Sequence, residues 1–231
     1  MTNGSRSIVA DRGRLPIVVL ISGRGSNMHA IAERAARGEL PVEVRAVISD
    51  KADAPGLELA ASLGLQTRVL SPRVFADRGT YDASLADLVA SFEPALIVLA
   101  GWMRILSPAF TDMYGGRILN IHPSLLPKYR GLHTHRRALQ AGDCQHGLSV
   151  HFVTLELDGG PVIVQVCIDV YPGDTEASLS ARVQREEHRI YPQVIEWYAR
   201  GRLELKQDRV FLDGQPLETP IFIDARDKPS G

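Results

Sequence analysis

Asn120 and His122, in the run Asn120-Ile121-His122-Pro123-Ser124, end an apolar stretch that begins at Arg117. If that stretch is a strand, two residues flanking Ile121 point to the same side. Both would then emerge where ligands sit in open α/β sheets, outside the carboxyl ends of the strands. An amide donor beside an imidazole suits a carbonyl oxygen that becomes an oxyanion. The same pair would serve equally to bond loop backbone where a strand ends, and spacing alone does not separate the two uses. Asp158, in Leu157-Asp158-Gly159-Gly160, is ordinary turn chemistry in isolation. Folded over His122, its carboxylate would support an imidazolium and help pass protons.

A second constellation is Ser22-Gly23-Arg24-Gly25-Ser26-Asn27, set between an apolar run and a helical pattern. Glycines allow a tight turn there, and free N–H groups at a helix start, at the positive end of its dipole, make a phosphate cradle. A small-residue turn without a ligand is the competing reading. The run matches neither Gly-x-Gly-x-x-Gly nor a Walker A loop, which argues against dinucleotides and nucleoside triphosphates. Gln184, Glu187 and His188 share one face of a C-terminal helical pattern, by default a solvated face. His133 and His135 flank Thr134, but no further ligands stand nearby at zinc spacing, so no metal is expected. His29, His146, His151 and His188 have no distinctive setting.

These residues need a scaffold, and the hydrophobic pattern supplies one. Pro16–Ser22 is a continuous apolar, β-branched run of the kind buried on both faces. Met28, Ile31, Ala32 and Ala35 follow at helical spacing, with Gly38 as the stop. The alternation continues with strands at 42–49, 66–70, 95–100 and 117–121 and helices at 56–63, 81–92 and 134–140, which means βαβ crossovers. After Gly147 the pattern changes to two strands, 148–155 and 162–170, joined as a hairpin by a turn-rich loop. A helix over 175–198 follows, capped by Thr175 and kinked or split by Pro192. A last ribbon covers 203–212. The expected fold is α/β, a doubly wound, mainly parallel sheet with a C-terminal antiparallel hairpin and long helix. Residues 1–15 are expected to form a disordered extension, 16–215 one domain, and 216–231 a loosely ordered tail.

Composition narrows the function. With 45% apolar and 23% charged residues the chain falls in the ordinary globular range. A formal charge of −1 argues against coating a nucleic acid. The longest apolar runs fall far below the roughly 18 residues of a membrane span. Two cysteines, Cys144 and Cys167, give no disulfide framework. A cytoplasmic protein acting on small molecules is expected, as monomer or homodimer.

Several segments in order carry a resemblance: Ile21–Asn27, Leu99–Phe110 (LAGWMRILSPAF), Leu119–Lys128 (LNIHPSLLPK) with Gly131-Leu132-His133-Thr134-His135, and Ser149–Gly160 (SVHFVTLELDGG). Together, over about residues 16–205, they resemble the folate-dependent phosphoribosylglycinamide formyltransferases. The resemblance implies a Rossmann-like formyltransferase fold and formyl transfer from 10-formyltetrahydrofolate to the amine of glycinamide ribonucleotide in purine synthesis, without metal. It implies catalytic roles for Asn120, His122 and Asp158. It places the substrate on Gly25, Ser26, Asn27, Gln184 and Glu187. Folate is expected at Arg78, Met103, Arg104, Ile105, Leu106, Asn120 and the loop Leu155, Glu156, Leu157, Asp158. Arg130 departs from the pattern, standing where the family often has proline. Relatives that share the triad, a formyltetrahydrofolate deformylase and methionyl-tRNA formyltransferases, carry additional domains for which 231 residues leave no room.

Overall fold

The computed structural model describes residues 13–226. In chain order the elements are β1 (Leu15–Ile21), α1 (Ser26–Ala36), β2 (Val42–Ser49), α2 (Pro55–Ser62), β3 (Thr67–Val69), α3 (Arg78–Ala90), β4 (Leu96–Leu99), α4 (Pro108–Met113) and β5 (Ile118–His122). They continue with α5 (Thr134–Gln140), β6 (Gln145–Phe152), β7 (Val162–Asp169), α6 (Glu176–Ala199), β8 (Leu203–Lys206), β9 (Arg209–Leu212), β10 (Gln215–Pro216) and β11 (Ile221–Asp224). The main sheet has eight strands in the order β11-β7-β6-β5-β4-β1-β2-β3. The block from β5 to β3 is parallel, whereas β6 runs antiparallel to both β5 and β7. The doubly wound α/β expectation holds, and a separate three-stranded antiparallel sheet, β10-β9-β8, follows the long helix.

β1 shows why the sheet needs two covering layers. Ile17 through Ile21 are all inaccessible to solvent. Ile17, Val19 and Ile21 pack with Met28 and Ile31 of α1 and with Leu179, Val183 and Tyr191 of α6. Val18 and Leu20 pack on the other face with Tyr81 and Leu85 of α3 and Phe110 of α4. A side chain every second residue on each face, with helices on both, gives the continuous apolar run.

Two expectations are corrected. Pro192 does not split α6, which is one helix from Glu176 to Ala199. Its buried stripe, Leu179, Val183, Ile190, Val194 and Ile195, continues through the proline into one core; tertiary burial outweighs the missing N–H. The segment after residue 216 is not loose throughout. Ile221–Asp224 pairs parallel to β7 as the sheet edge, and Ala225 N–H donates to the Cys167 carbonyl at 2.9 Å. Ile221 and Ile223 pack on the core, a period-2 signal obscured by the prolines and charges around it. The folded unit therefore extends past residue 215, and Leu15 already belongs to β1. The expected extension lies mainly outside the described residues.

The sheet order sets β4 between β1 and β5. The loops after these three strands thus share one carboxyl edge, with the reversal in strand order at β1/β4, the position that favours ligands in this architecture.

Candidate active site

The turn after β1 is shaped by Gly25, the residue before α1, whose φ of 74° lies in the left-handed region. It provides no side-chain cap, which leaves the first-turn N–H groups of α1 without a capping side chain, an arrangement that suits an anion. Helix α6 closes the other side of this turn. Gln184 Nε2 donates to Ser26 Oγ at 2.9 Å, and Asn27 Nδ2 to Glu187 Oε2 at 2.8 Å, across some 160 residues of chain. The Gln184/Glu187 face is thus not solvated, the default reading of its spacing. Glu187 is buried, and burial pushes its carboxyl above the ordinary range against the opposing bond from Asn27. Asn27 Oδ1 is buried without a partner. One helical turn on from Glu187, Tyr191 OH reaches the carbonyls of Leu99 and Leu119 at 3.0 and 2.9 Å, fixing α6 over β4 and β5.

At the end of β5 the two predicted polar residues meet different partners. His151, directly across on β6, has Nδ1 2.8 Å from the Phe152 carbonyl, so Nδ1 carries the hydrogen and Nε2 is the acceptor. Asn120 Nδ2 donates to that Nε2 at 3.0 Å, which fixes the amide's orientation. Burial holds the His151 imidazole below its ordinary pKa, in keeping with this neutral role. His122 Nε2 lies 2.9 Å from the Tyr129 carbonyl and Nδ1 lies 3.4 Å from Asp158 Oδ2. Both ring nitrogens of His122 thus face oxygen acceptors, the loop carbonyl on one side and the Asp158 carboxyl on the other.

Asp158 is therefore brought to His122 by the hairpin loop. It adopts φ 48°, a left-handed conformation that Asp tolerates better than most residues. Its Oδ2 also accepts the Gly131 N–H at 2.8 Å, and Oδ1 stands 3.8 Å from His151 Nε2. The facing loop is coiled tightly, with φ of 55° at Tyr129, 79° at Gly131 and 60° at His133. Arg130 pairs with Glu156, and its own carbonyl accepts from Arg137 at 2.6 Å. The residue that departs from the family pattern thus ties the two active-site loops together.

The loop after β4 lies between these constellations. Ser22 Oγ accepts the Met103 N–H at 3.0 Å and Ser22 N–H donates to the Gly101 carbonyl at 3.1 Å, tying this loop to the turn after β1. Arg78 donates to the Ile105 carbonyl at 2.9 Å and Arg104 stacks over the Tyr81 ring. Leu106 is buried, whereas Met103, Ile105, Leu155 and Leu157 stand exposed. Large apolar side chains on loops around a polar cluster mark a ligand surface.

Sequence reasoning missed His151, the Tyr129 carbonyl and the Gly131 N–H. The pairing of β5 with β6 finds the first, since it sets His151 opposite Asn120. His135 Nδ1 lies 3.0 Å from His146 Nε2. Among the described residues no three His, Cys, Asp or Glu side chains are grouped to hold a metal ion. Burial first, then His135, pushes His146 down to about 4. The folded state thus prefers neutral His146, while the unfolded chain titrates near 6.5. Stability is full above that value and falls as pH drops toward 4, by on the order of 3 kcal/mol. Urea midpoints measured at about pH 7.5 and about pH 4.5 are expected to show this fall, and His146→Phe to lose part of it.

Residues 15–195 match the family model for formyl transferase, and the chain belongs to that family. Among its relatives, the phosphoribosylglycinamide formyltransferase of Escherichia coli K12 is 56% identical over 201 residues, covering 87% of this chain and 95% of that protein. The solved structure of the phosphoribosylglycinamide formyltransferase from Coxiella burnetii superposes with a TM-score of 0.87 at 48% identity, covering 91% of this chain and 99% of that one. Glycinamide ribonucleotide transformylase 1 from Symbiobacterium toebii gives 0.85 at 40% identity, covering 91% and 99%. Among the described residues no helix is long and apolar enough to cross a membrane.

Proposed function

We propose that the protein transfers the formyl group of 10-formyltetrahydrofolate to the amine of glycinamide ribonucleotide. The carrying observation is that one carboxyl edge holds both the Asn120, His122 and Asp158 cluster and a turn whose Ser26 and Asn27 are gripped by Gln184 and Glu187. The names of the relatives point to the same reaction.

The substrate phosphate sits on the N–H groups of Gly25, Ser26 and Asn27. Asn27 Oδ1, buried and unpartnered, accepts from a sugar hydroxyl beside Glu187. Folate lies on the apolar side chains of Met103, Ile105, Leu155 and Leu157, with Leu106 beneath, Glu156 and Arg78 at its rim and Arg104 braced on Tyr81.

The neutral substrate amine attacks the formyl carbon, forming the new C–N bond and an oxyanion. Asn120 Nδ2 and His122 Nε2 donate to that oxygen, which replaces His151 Nε2 and the Tyr129 carbonyl as their acceptors; such apo contacts rearrange when substrate enters. The carbon–N10 bond then breaks, the amine loses a proton and N10 gains one. Asp158, facing His122 Nδ1, acts through that ring in supporting the oxyanion and the proton transfers. No covalent bond to the enzyme is required.

Replacing Ser26 and Asn27 together by Ala is expected to raise KM for glycinamide ribonucleotide about tenfold or more and to leave KM for the folate unchanged. Wild-type enzyme should also prefer the ribonucleotide over the dephosphorylated riboside, and the double variant, which keeps the backbone N–H groups, should narrow that preference without abolishing it. Equal weakening of both ligands, or equal use of riboside and ribonucleotide by the wild type, contradicts the phosphate assignment.

A further inference from the structure

We propose that Gly56, the second residue of α2, is a positioning residue for the phosphate turn, resting on the acceptor reading above. Gly56 is a helical residue without positive φ, a position where alanine ordinarily favours a helix over glycine. Here no Cβ fits. A methyl group built on Gly56 would stand 2.7 Å from Ile21 Cδ1, 2.8 Å from the Gly23 carbonyl oxygen and 3.0 Å from Gly25 Cα. Ile21 offers the end of a side chain that can swing aside. The other two atoms are the backbone of the turn itself.

The contact is reciprocal. A Cβ on Gly25 would stand 2.9 Å from Gly56 Cα, so the two glycines meet backbone to backbone. Gly56 N–H also donates to the Gly23 carbonyl at 3.0 Å. That bond turns a carbonyl lone pair away from the cradle, where it would repel an anion, and fixes the path along which Gly25, Ser26 and Asn27 present their N–H groups. Helix α2 thus sets the height of the turn from below while Gln184 and Glu187 grip it from α6. The methyl group would press on Ile21 and on the backbone of the turn, so the expected cost falls on phosphate binding rather than on the chemical step.

The test is steady-state kinetics of Gly56→Ala, Ile21→Val and the double variant with ribonucleotide, riboside and folate. Gly56→Ala is expected to raise KM for the ribonucleotide about tenfold and for the riboside by much less, with kcat within about twofold and KM for folate unchanged. Ile21→Val removes the flexible clash only, so it should behave as wild type alone and fail to rescue Gly56→Ala. An unchanged ribonucleotide KM in Gly56→Ala overturns the proposal, as does a double variant restored to wild-type KM. Should Gly56→Ala not fold, amide hydrogen exchange on the wild type decides. The ribonucleotide should slow exchange of the Gly56 N–H and folate alone should not; unchanged protection overturns the proposal. Wild-type enzyme that fails to bind the ribonucleotide at all sinks the acceptor reading as well, which is distinguishable from a defect confined to the variant.

Discussion

His122→Ala is expected to lower kcat about a thousandfold while leaving the dissociation constants of both substrates within about threefold. The size follows from what is removed. His122 supplies one of two donors to the developing oxyanion, with the Asp158 carboxyl at its other nitrogen, in a site where its side chain is buried. Ground-state binding is carried elsewhere, by the turn at Gly25 to Asn27 and the loops at 103–106 and 155–157. The fold should survive, because among the described residues the ring meets a loop carbonyl and the Asp158 carboxyl, neither in the sheet. Rapid-quench measurement of a single turnover, with binding followed separately by calorimetry, checks the split. A variant with normal rate removes His122 from the mechanism.

Asp158→Asn should lower kcat about a hundredfold with little change in either KM. Asparagine suits the left-handed backbone at this position and still accepts the Gly131 N–H, so the loop is preserved. What is lost is the negative charge facing His122 Nδ1. Because Asp158 acts through His122, the double variant His122→Ala, Asp158→Asn should be about as slow as His122→Ala alone. Losses that multiply in the double variant would show that Asp158 has an independent role.

The parallel half of the sheet was legible because its central strands β1 and β4 are apolar runs buried on both faces, with glycines after α1 and α2 marking helix ends. Thr175 as the cap of α6 and the span of α5 were equally clear, since capping and helical period are local signals. The site was legible as three separate constellations. Their union was not, because the contacts that make it, Asn27 to Glu187, Asp158 to His122 and Asn120 to His151, join residues far apart in sequence. His151 carries no local signature; only the β5–β6 register gives it meaning. Gly56 was hidden for the same reason, since a glycine near a helix start looks unremarkable until the backbone it touches is known. The edge strand β11 was obscured by short length and flanking prolines, where pairing rather than local propensity decides.

The enzyme is expected to transfer the formyl group rather than hydrolyse the folate or merely bind it. The most direct test is mass spectrometry of the products formed from 10-formyltetrahydrofolate with and without glycinamide ribonucleotide. Formylated ribonucleotide and tetrahydrofolate appearing in step, only when the ribonucleotide is present, is the predicted result. Tetrahydrofolate with free formate regardless of acceptor, or no reaction from folded protein, would contradict it.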